Sequence, residues 1–203
     1  MLKRAVDISL SIIGIIILIP FLILAAILII LDSGLPVFYS QKRVGKNGVD
    51  FYLLKFRTMR NGSDKKGLLT IGQNDSRITQ IGRFLRKYKI DELPQLFNVL
   101  LGNMSLVGPR PEVRRYVSMY TTEQKKVLTV KPGITEYASI EYSNENVILS
   151  NSERPEDLYI QEIMPAKLKL NLKYIQEQNY LSTGQRFIAD LKIIFKTIGK
   201  IIN

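Results

Sequence analysis

Residues 8–31 read ISLSIIGIIILIPFLILAAILIIL, a run of 24 uncharged positions bracketed by Asp7 and Asp32. As a helix rising about 1.5 Å per residue it reaches roughly 36 Å, enough to cross a hydrocarbon layer of about 30 Å. A cleaved leader fits less well, because the stretch is long and no small-residue cleavage site follows it. Two features complicate a simple crossing. Pro20 stands near the middle, where it removes a backbone hydrogen bond and kinks or breaks a helix. Each half then has about a dozen residues, roughly 18 Å, close to one leaflet. Basic residues flank both ends, Lys3 and Arg4 before the run and Lys42, Arg43 and Lys46 after it. Positive charge favours the cytoplasmic side, so both flanks are satisfied only if both ends stay there. A spanning helix and a re-entrant helix turning at Pro20 both remain open; the flanks favour the second.

The chain has 203 residues, 29 Lys+Arg against 18 Asp+Glu, and a formal net charge of +11. A hydrophobic content of 46% suffices for a core and excludes intrinsic disorder. There is no His and no Cys. That excludes Ser-His-Asp and Cys-His nucleophiles, thiolate zinc sites and disulfides. Acid–base or metal chemistry must run on Asp, Glu, Lys, Arg or Tyr. The positive surplus points to anionic partners: nucleic acid, phosphate esters or an anionic membrane surface.

At the C-terminus Phe187, Ile188, Leu191, Ile194, Phe195, Ile198, Ile201 and Ile202 recur mainly at spacings of three and four, with Lys192, Lys196 and Lys200 in a separate row. This is an amphipathic helix that either lies in the headgroup region of anionic lipid or faces the core with a solvated lysine row. Between the two ends the chain reads as α+β. Val37–Val44 and Phe51–Phe56, joined through Gly45-Lys46-Asn47-Gly48, predict a hairpin. Arg60–Asn74 reads as a mobile loop. Thr79 opens a helix carrying Ile81, Phe84, Leu85 and Tyr88, and Asp91-Glu92-Leu93-Pro94 opens another that stops at Gly102-Asn103. Pro111-Glu112 starts a third helix, Lys131-Pro132-Gly133 a turn, Asn144–Arg154 a loop, and Glu156 onward is helical. The division expected is a membrane unit at 1–35 and a cytoplasmic body at 36–203.

Asp91 and Glu92 are adjacent carboxylates at a predicted helix N-terminus, where acidic residues commonly serve as caps. Their surroundings suggest more. Arg83, Arg86, Lys87 and Lys89 lie upstream, and Arg110 sits between Pro109 and Pro111. Cations gathered around an acidic pair suit a bound di- or triphosphate with a divalent metal, carboxylates being natural Mg²⁺ ligands and arginine forks natural phosphate partners. A carboxylate can also attack phosphorus. The helix N-terminus and the arginines are expected to keep Asp91 ionised. Lys55 and Arg57, at the end of a predicted strand, either face the same cavity or are ordinary surface charge.

The segments Arg77-Ile78-Thr79, Gly82-Arg83-Phe84-Leu85-Arg86, Asp91-Glu92-Leu93-Pro94-Gln95-Leu96, Asn98-Val99-Leu100, Gly102, Met104-Ser105 and Val107-Gly108-Pro109-Arg110-Pro111 together resemble the bacterial sugar transferases, more narrowly the small monotopic phosphoglycosyl transferases. Lys42-Arg43-Val44-Gly45, Lys55-Phe56-Arg57-Thr58-Met59 and Lys131-Pro132-Gly133-Ile134-Thr135 match in the same order, so the resemblance covers essentially the whole chain.

The resemblance implies transfer of a sugar 1-phosphate from a UDP-sugar to undecaprenyl or another polyprenyl phosphate, with release of UMP. It implies a ping-pong route with Mg²⁺ and an aspartyl phosphosugar intermediate, at the cytoplasmic face of a bacterial inner membrane. Asp91 would be nucleophile and metal ligand, and Glu92 its partner around the same metal. Arg86, Arg110, Gln95 and Asn98 would contact phosphate, nucleotide or the acidic pair. The Pro20 segment would be a re-entrant helix. Two departures stand out: Ile19 replaces the Ser often found before this proline, and Glu136-Tyr137-Ala138-Ser139-Ile140 replaces the Gly and Ala-Gln of many hexose-type members. The second leaves the sugar open, as self-association is open. A membrane-tethered nucleic-acid binder fits poorly, because its cations would not be gathered around Asp91-Glu92.

Overall fold

The computed structural model describes residues 2–63 and 75–202, so most of the loop expected at Arg60–Asn74 lies outside the described residues. The apolar run forms most of α1 (Leu2–Ser33), a single helix assigned through Pro20 without interruption. Two separate half-helices are therefore not seen: Pro20 lies inside one helix. Ile16, Ile17, Phe21, Ile23 and Leu24 along its middle are exposed.

After α1 the expected hairpin is present. β1 (Phe38–Val44) pairs antiparallel with β2 (Asp50–Phe56), Phe38 opposite Phe56 and Val44 opposite Asp50. Its turn uses left-handed φ at Asn47 (57°) and Gly48 (75°), which the Asn-Gly pair tolerates. Thr79 caps α2 (Gln80–Lys87) by accepting from the Gly82 N–H at 3.0 Å. A Cβ on Gly82 would lie 2.2 Å from the Thr58 carbonyl oxygen. Glycine thus lets α2 rest directly on the chain leaving β2.

The helix expected from Asp91 divides into a 3-10 turn, Ile90–Glu92, and α3 (Gln95–Leu101), which stops at Gly102 with φ 89°. Two three-residue strands follow, β3 (Ser105–Val107) and β4 (Gly133–Thr135), paired in parallel. The expected turn at Lys131-Pro132-Gly133 therefore runs into a strand. The helix expected from Pro111-Glu112 is only α4 (Arg114–Val117). The loop expected at Asn144–Arg154 contains α6 (Glu145–Ser150), preceded by α5 (Tyr137–Glu141). Leu149, 1% exposed, drives that helix onto the core, a tertiary gain that outweighs the polar local sequence. The rest is helical: α7 (Pro155–Leu158), a π turn, α8 (Met164–Tyr180) and α9 (Thr183–Ile202).

The largest buried cluster joins Val44, Val113, Tyr116, Tyr120, Leu149, Tyr159, Met164 and Leu168. The body also grips α1 at both ends. Near the start, the Arg4 guanidinium donates to the carbonyls of Val99 (2.5 Å) and Leu100 (2.9 Å), and Asp7 accepts from Ser105 Oγ (2.8 Å) and the Leu106 N–H (3.1 Å). Near the finish, Ala25 and Ile29 pack with Phe56 and Leu85, and Asp32 accepts from the Ile81 N–H at 3.0 Å.

Candidate active site

The chain leaves α2 through Lys89, whose left-handed φ of 55° turns it sharply into the Ile90–Glu92 turn. That reversal brings both carboxyl groups inside: Asp91 is 6% exposed and Glu92 8%. Their surroundings differ. Glu92 is held by two cations from distant segments, Arg110 through Nη2 (2.5 Å) and Nη1 (3.1 Å), and Lys55 Nζ (3.0 Å). Asp91 Oδ1 is buried with no hydrogen-bond partner.

The electrostatics follow from these contacts. Burial works to raise the Glu92 carboxyl, but the nearby Arg110 and Lys55 charges prevail and hold it well below the usual carboxylate range. Asp91 goes the other way. Burial is the main cause of its raised pKa, the Glu92 charge adds to it, and Lys55 and Arg86 oppose without prevailing. The helix N-terminus and arginines expected to keep Asp91 ionised thus do not prevail over burial. α3 starts only at Gln95, after Pro94, so Asp91 caps no helix, and the nearest bidentate arginine is spent on Glu92.

The other expected site residues divide. Lys55 and Arg110 stand directly on Glu92, and Arg86 lies close enough to act on Asp91 while its Nε donates to Thr58 Oγ1 at 2.8 Å. Gln95, 2% exposed, begins α3 with its Nε2 unpartnered. Asn98 braces the scaffold: its Oδ1 accepts from the Leu54 N–H (2.9 Å) and its Nδ2 donates to the Tyr52 carbonyl (2.7 Å), fixing β2 beneath Lys55. Arg57 is placed elsewhere. Its guanidinium donates to Ser33 O and Oγ (both 3.0 Å), Gly34 O (2.5 Å) and Asn61 Oδ1 (2.7 Å), tying the end of α1 to the body.

Further contacts behind Arg110 escaped the sequence reading. Arg43 Nη1 lies 3.3 Å from Glu112 Oε2, and Glu112 Oε1 accepts from the Tyr159 hydroxyl at 2.5 Å. Arg43 and Glu112 stand inside or beside the family-like segments, but nothing in their spacing announces the pairing. A small cavity of about 20 Å³ adjoins them, lined in part by Gly45, Pro109, Arg110, Glu112 and Tyr120.

Among the described residues no cluster of three or more acidic side chains is present that could hold a metal ion unaided. The open Asp91 oxygen still fits a divalent cation completed by ligand oxygens, since it is a buried anionic acceptor with nothing to accept from. Glu92 fits less well, because both its oxygens are engaged by cations.

Comparison with known proteins identifies the family. The bacterial sugar transferase family model matches residues 1–203. The chain is 34% identical over 204 residues to the UDP-N-acetylgalactosamine-undecaprenyl-phosphate N-acetylgalactosaminephosphotransferase of Aeromonas hydrophila, covering 99% of this chain and 44% of that protein. It is 35% identical over 207 residues to the UDP-glucose:undecaprenyl-phosphate glucose-1-phosphate transferase of Escherichia coli K12, covering 98% of this chain and 40% of that protein. A putative undecaprenyl-phosphate N-acetylgalactosaminyl 1-phosphate transferase of Bacillus subtilis is 44% identical over 122 residues, covering 60% of this chain and 68% of that protein. The chain thus spans less than half the length of the first two. With the family model matched from the first residue to the last, the chain belongs to the bacterial sugar transferases.

Proposed function

We propose that this chain transfers a sugar 1-phosphate from a UDP-sugar to undecaprenyl or a similar polyprenyl phosphate, releasing UMP, through a covalent intermediate on Asp91. The observation that carries the reading is the unequal treatment of two adjacent buried carboxylates: cations grip Glu92, and Asp91 keeps an unpartnered oxygen. In the first step that oxygen attacks the sugar-bearing phosphorus, and the bond from phosphorus to the bridging oxygen breaks. UMP departs with the electron pair. In the second, an oxygen of the polyprenyl phosphate attacks the same phosphorus, and the bond to Asp91 breaks, restoring the carboxylate.

Burial serves this chemistry, because a poorly solvated carboxylate is a better nucleophile than one shared with an arginine. Arg110 and Lys55 supply positive charge beside the reacting phosphorus, and Glu92 holds both in place. A magnesium ion, held through the Asp91 oxygen that does not attack and reaching Glu92 only if that residue gives up a contact, would neutralise the pyrophosphate oxygens.

The same reading assigns a re-entrant topology, with 1–35 as the membrane unit and 36–203 as the cytoplasmic domain at the inner membrane. Charged residues at both ends of α1 bond to one body, and this supports a topology with both ends on the same side. α9 supports interfacial placement: Ile193 packs inward, and Phe187, Ile188, Phe195 and Ile198 stay exposed beside the lysine row. A panel of UDP-sugars assayed for UMP release tests the reading. With donor alone a stoichiometric burst is expected, with steady turnover only when polyprenyl phosphate is added. Release from no donor, or release needing both substrates at once, would overturn it.

A further inference from the structure

We infer that Glu136 is a positioning residue for Arg110, with Lys167 and Asn171 of α8 holding it in place; this rests on the role given to Arg110 above. The backbone from Gly108 to Arg110 is fastened beside β4 rung by rung. The Gly108 N–H donates to Thr135 O at 3.0 Å, and the Gly133 N–H donates to Pro109 O at 2.9 Å. The next rung is different in kind: the Arg110 N–H donates to the Glu136 side chain, Oε2, at 2.9 Å. Close approach makes the fastening stiff, since a Cβ on Gly133 would lie 2.1 Å from the Gly108 nitrogen. Pro109 and Pro111 restrict the backbone on either side of Arg110. A shift at its amide therefore passes to its guanidinium, and so to Glu92.

The Glu136 carboxylate is itself fully engaged. Ser139 Oγ donates to Oε1 at 2.9 Å and Asn171 Nδ2 to Oε2 at 2.9 Å, with Lys167 Nζ 3.6 Å from Oε1. Lys167 is shared with Glu145 Oε2 at 2.8 Å. Glu136 is 2% exposed, Asn171 4% and Lys167 9%. Stability alone is a poor reason for such a cluster, because well-packed apolar residues commonly replace buried ion pairs at no loss. An ionised acceptor does give a stronger hydrogen bond to a main-chain amide than a neutral one, which suits a group that must be held still.

The test uses the full chain in nanodiscs with Glu136→Gln and, separately, Asn171→Ala. Hydrogen exchange resolved to single amides reads the coupling without needing turnover: the Arg110 amide is expected to exchange about tenfold faster in Glu136→Gln, with Gly108 and Gly133 unchanged. Unchanged exchange at Arg110 would overturn the inference, whether or not the protein releases UMP. In the UMP assay, Glu136→Gln is expected to lower kcat about ten- to a hundred-fold with little change in donor KM, as misplaced catalytic groups do. Asn171→Ala should lower it less, in the same sense. In an Arg110→Ala background, Glu136→Gln should cost nothing further, because it acts through the missing side chain. Losses that multiply would show an independent structural role and refute the assignment.

Discussion

Asp91 and Glu92 are neighbours of nearly equal burial, yet amide replacement should affect them in opposite ways. Glu92→Gln removes the negative charge that Arg110 and Lys55 share, leaving two cations whose side chains are 31% and 19% exposed without their counter-charge. Breaking one side of such a pair costs about 3–5 kcal/mol; with one acceptor oxygen kept by Gln, about 3 kcal/mol is expected here. Asp91→Asn removes a charge that no hydrogen bond on Oδ1 supports. Its raised pKa means that at neutral pH the ionised form works against folding, so the amide should leave stability equal or higher. Activity should show another pattern. Asp91→Asn abolishes UMP release and the covalent adduct, and Glu92→Gln cripples turnover while donor binding survives. Thermal unfolding in nanodiscs measures the first contrast, and intact mass after incubation with donor alone measures the adduct. Near-normal UMP release by folded Asp91→Asn would remove the nucleophile assignment. Destabilisation of that variant as large as that of Glu92→Gln would refute the electrostatic argument.

The exposed positions Leu2 and Leu35, changed singly to Cys in this Cys-free chain, should both react only from the cytoplasmic side; periplasmic labelling of Leu2→Cys would exclude the re-entrant reading. Changing Lys192, Lys196 and Lys200 together to Glu should weaken binding of the body to anionic vesicles, each lysine near such a surface being worth about 1 kcal/mol. An unaltered binding profile would return α9 to a purely core-facing role. Glu136 is held below its ordinary value of 4.5: burial would raise it, and Lys167 and the Arg110 and Asn171 hydrogen bonds outweigh that. Its contribution to stability is therefore present above that value and lost as pH falls through the lower, folded one. Glu136→Gln should flatten the acid arm of a stability–pH profile, and an unchanged arm would show that the carboxylate is not ionised in the fold.

Some elements were legible because their signal is local. A charge-free run marks α1, and Asn47-Gly48 between β-rich stretches marks the β1–β2 turn. β3 and β4 were not legible, because three residues carry no useful alternation and their pairing joins Ser105 to Gly133 across distant sequence. Arg57 misleads for a related reason. It stands two residues after Lys55, which in a strand means the same face, but β2 ends at Phe56 and the next residue leaves that alternation. Its guanidinium then turns to the end of α1. Lys167 and Asn171 did leave a trace. They fall at a spacing of four on the α8 face that also buries Met164 and Leu168, and polar residues in an apolar stripe are a reason to look for a partner.

That cations gather around the acidic pair was readable in the sequence, but how they divide between the two carboxylates was not. That division depends on which carboxylate takes Arg110, a contact 18 residues away in sequence and fixed by the backbone fastened along β4. Had Arg110 paired with Asp91, the fork would have engaged the lone pairs that attack at phosphorus requires. With Glu92 as its partner, the same arginine stays within reach of the reacting group and the neighbouring carboxylate is left open. A single acidic residue among these cations would be captured by them. Two in succession, on a turn that buries both, let one absorb the cations while the other keeps an unpartnered oxygen, as the proposed nucleophile requires.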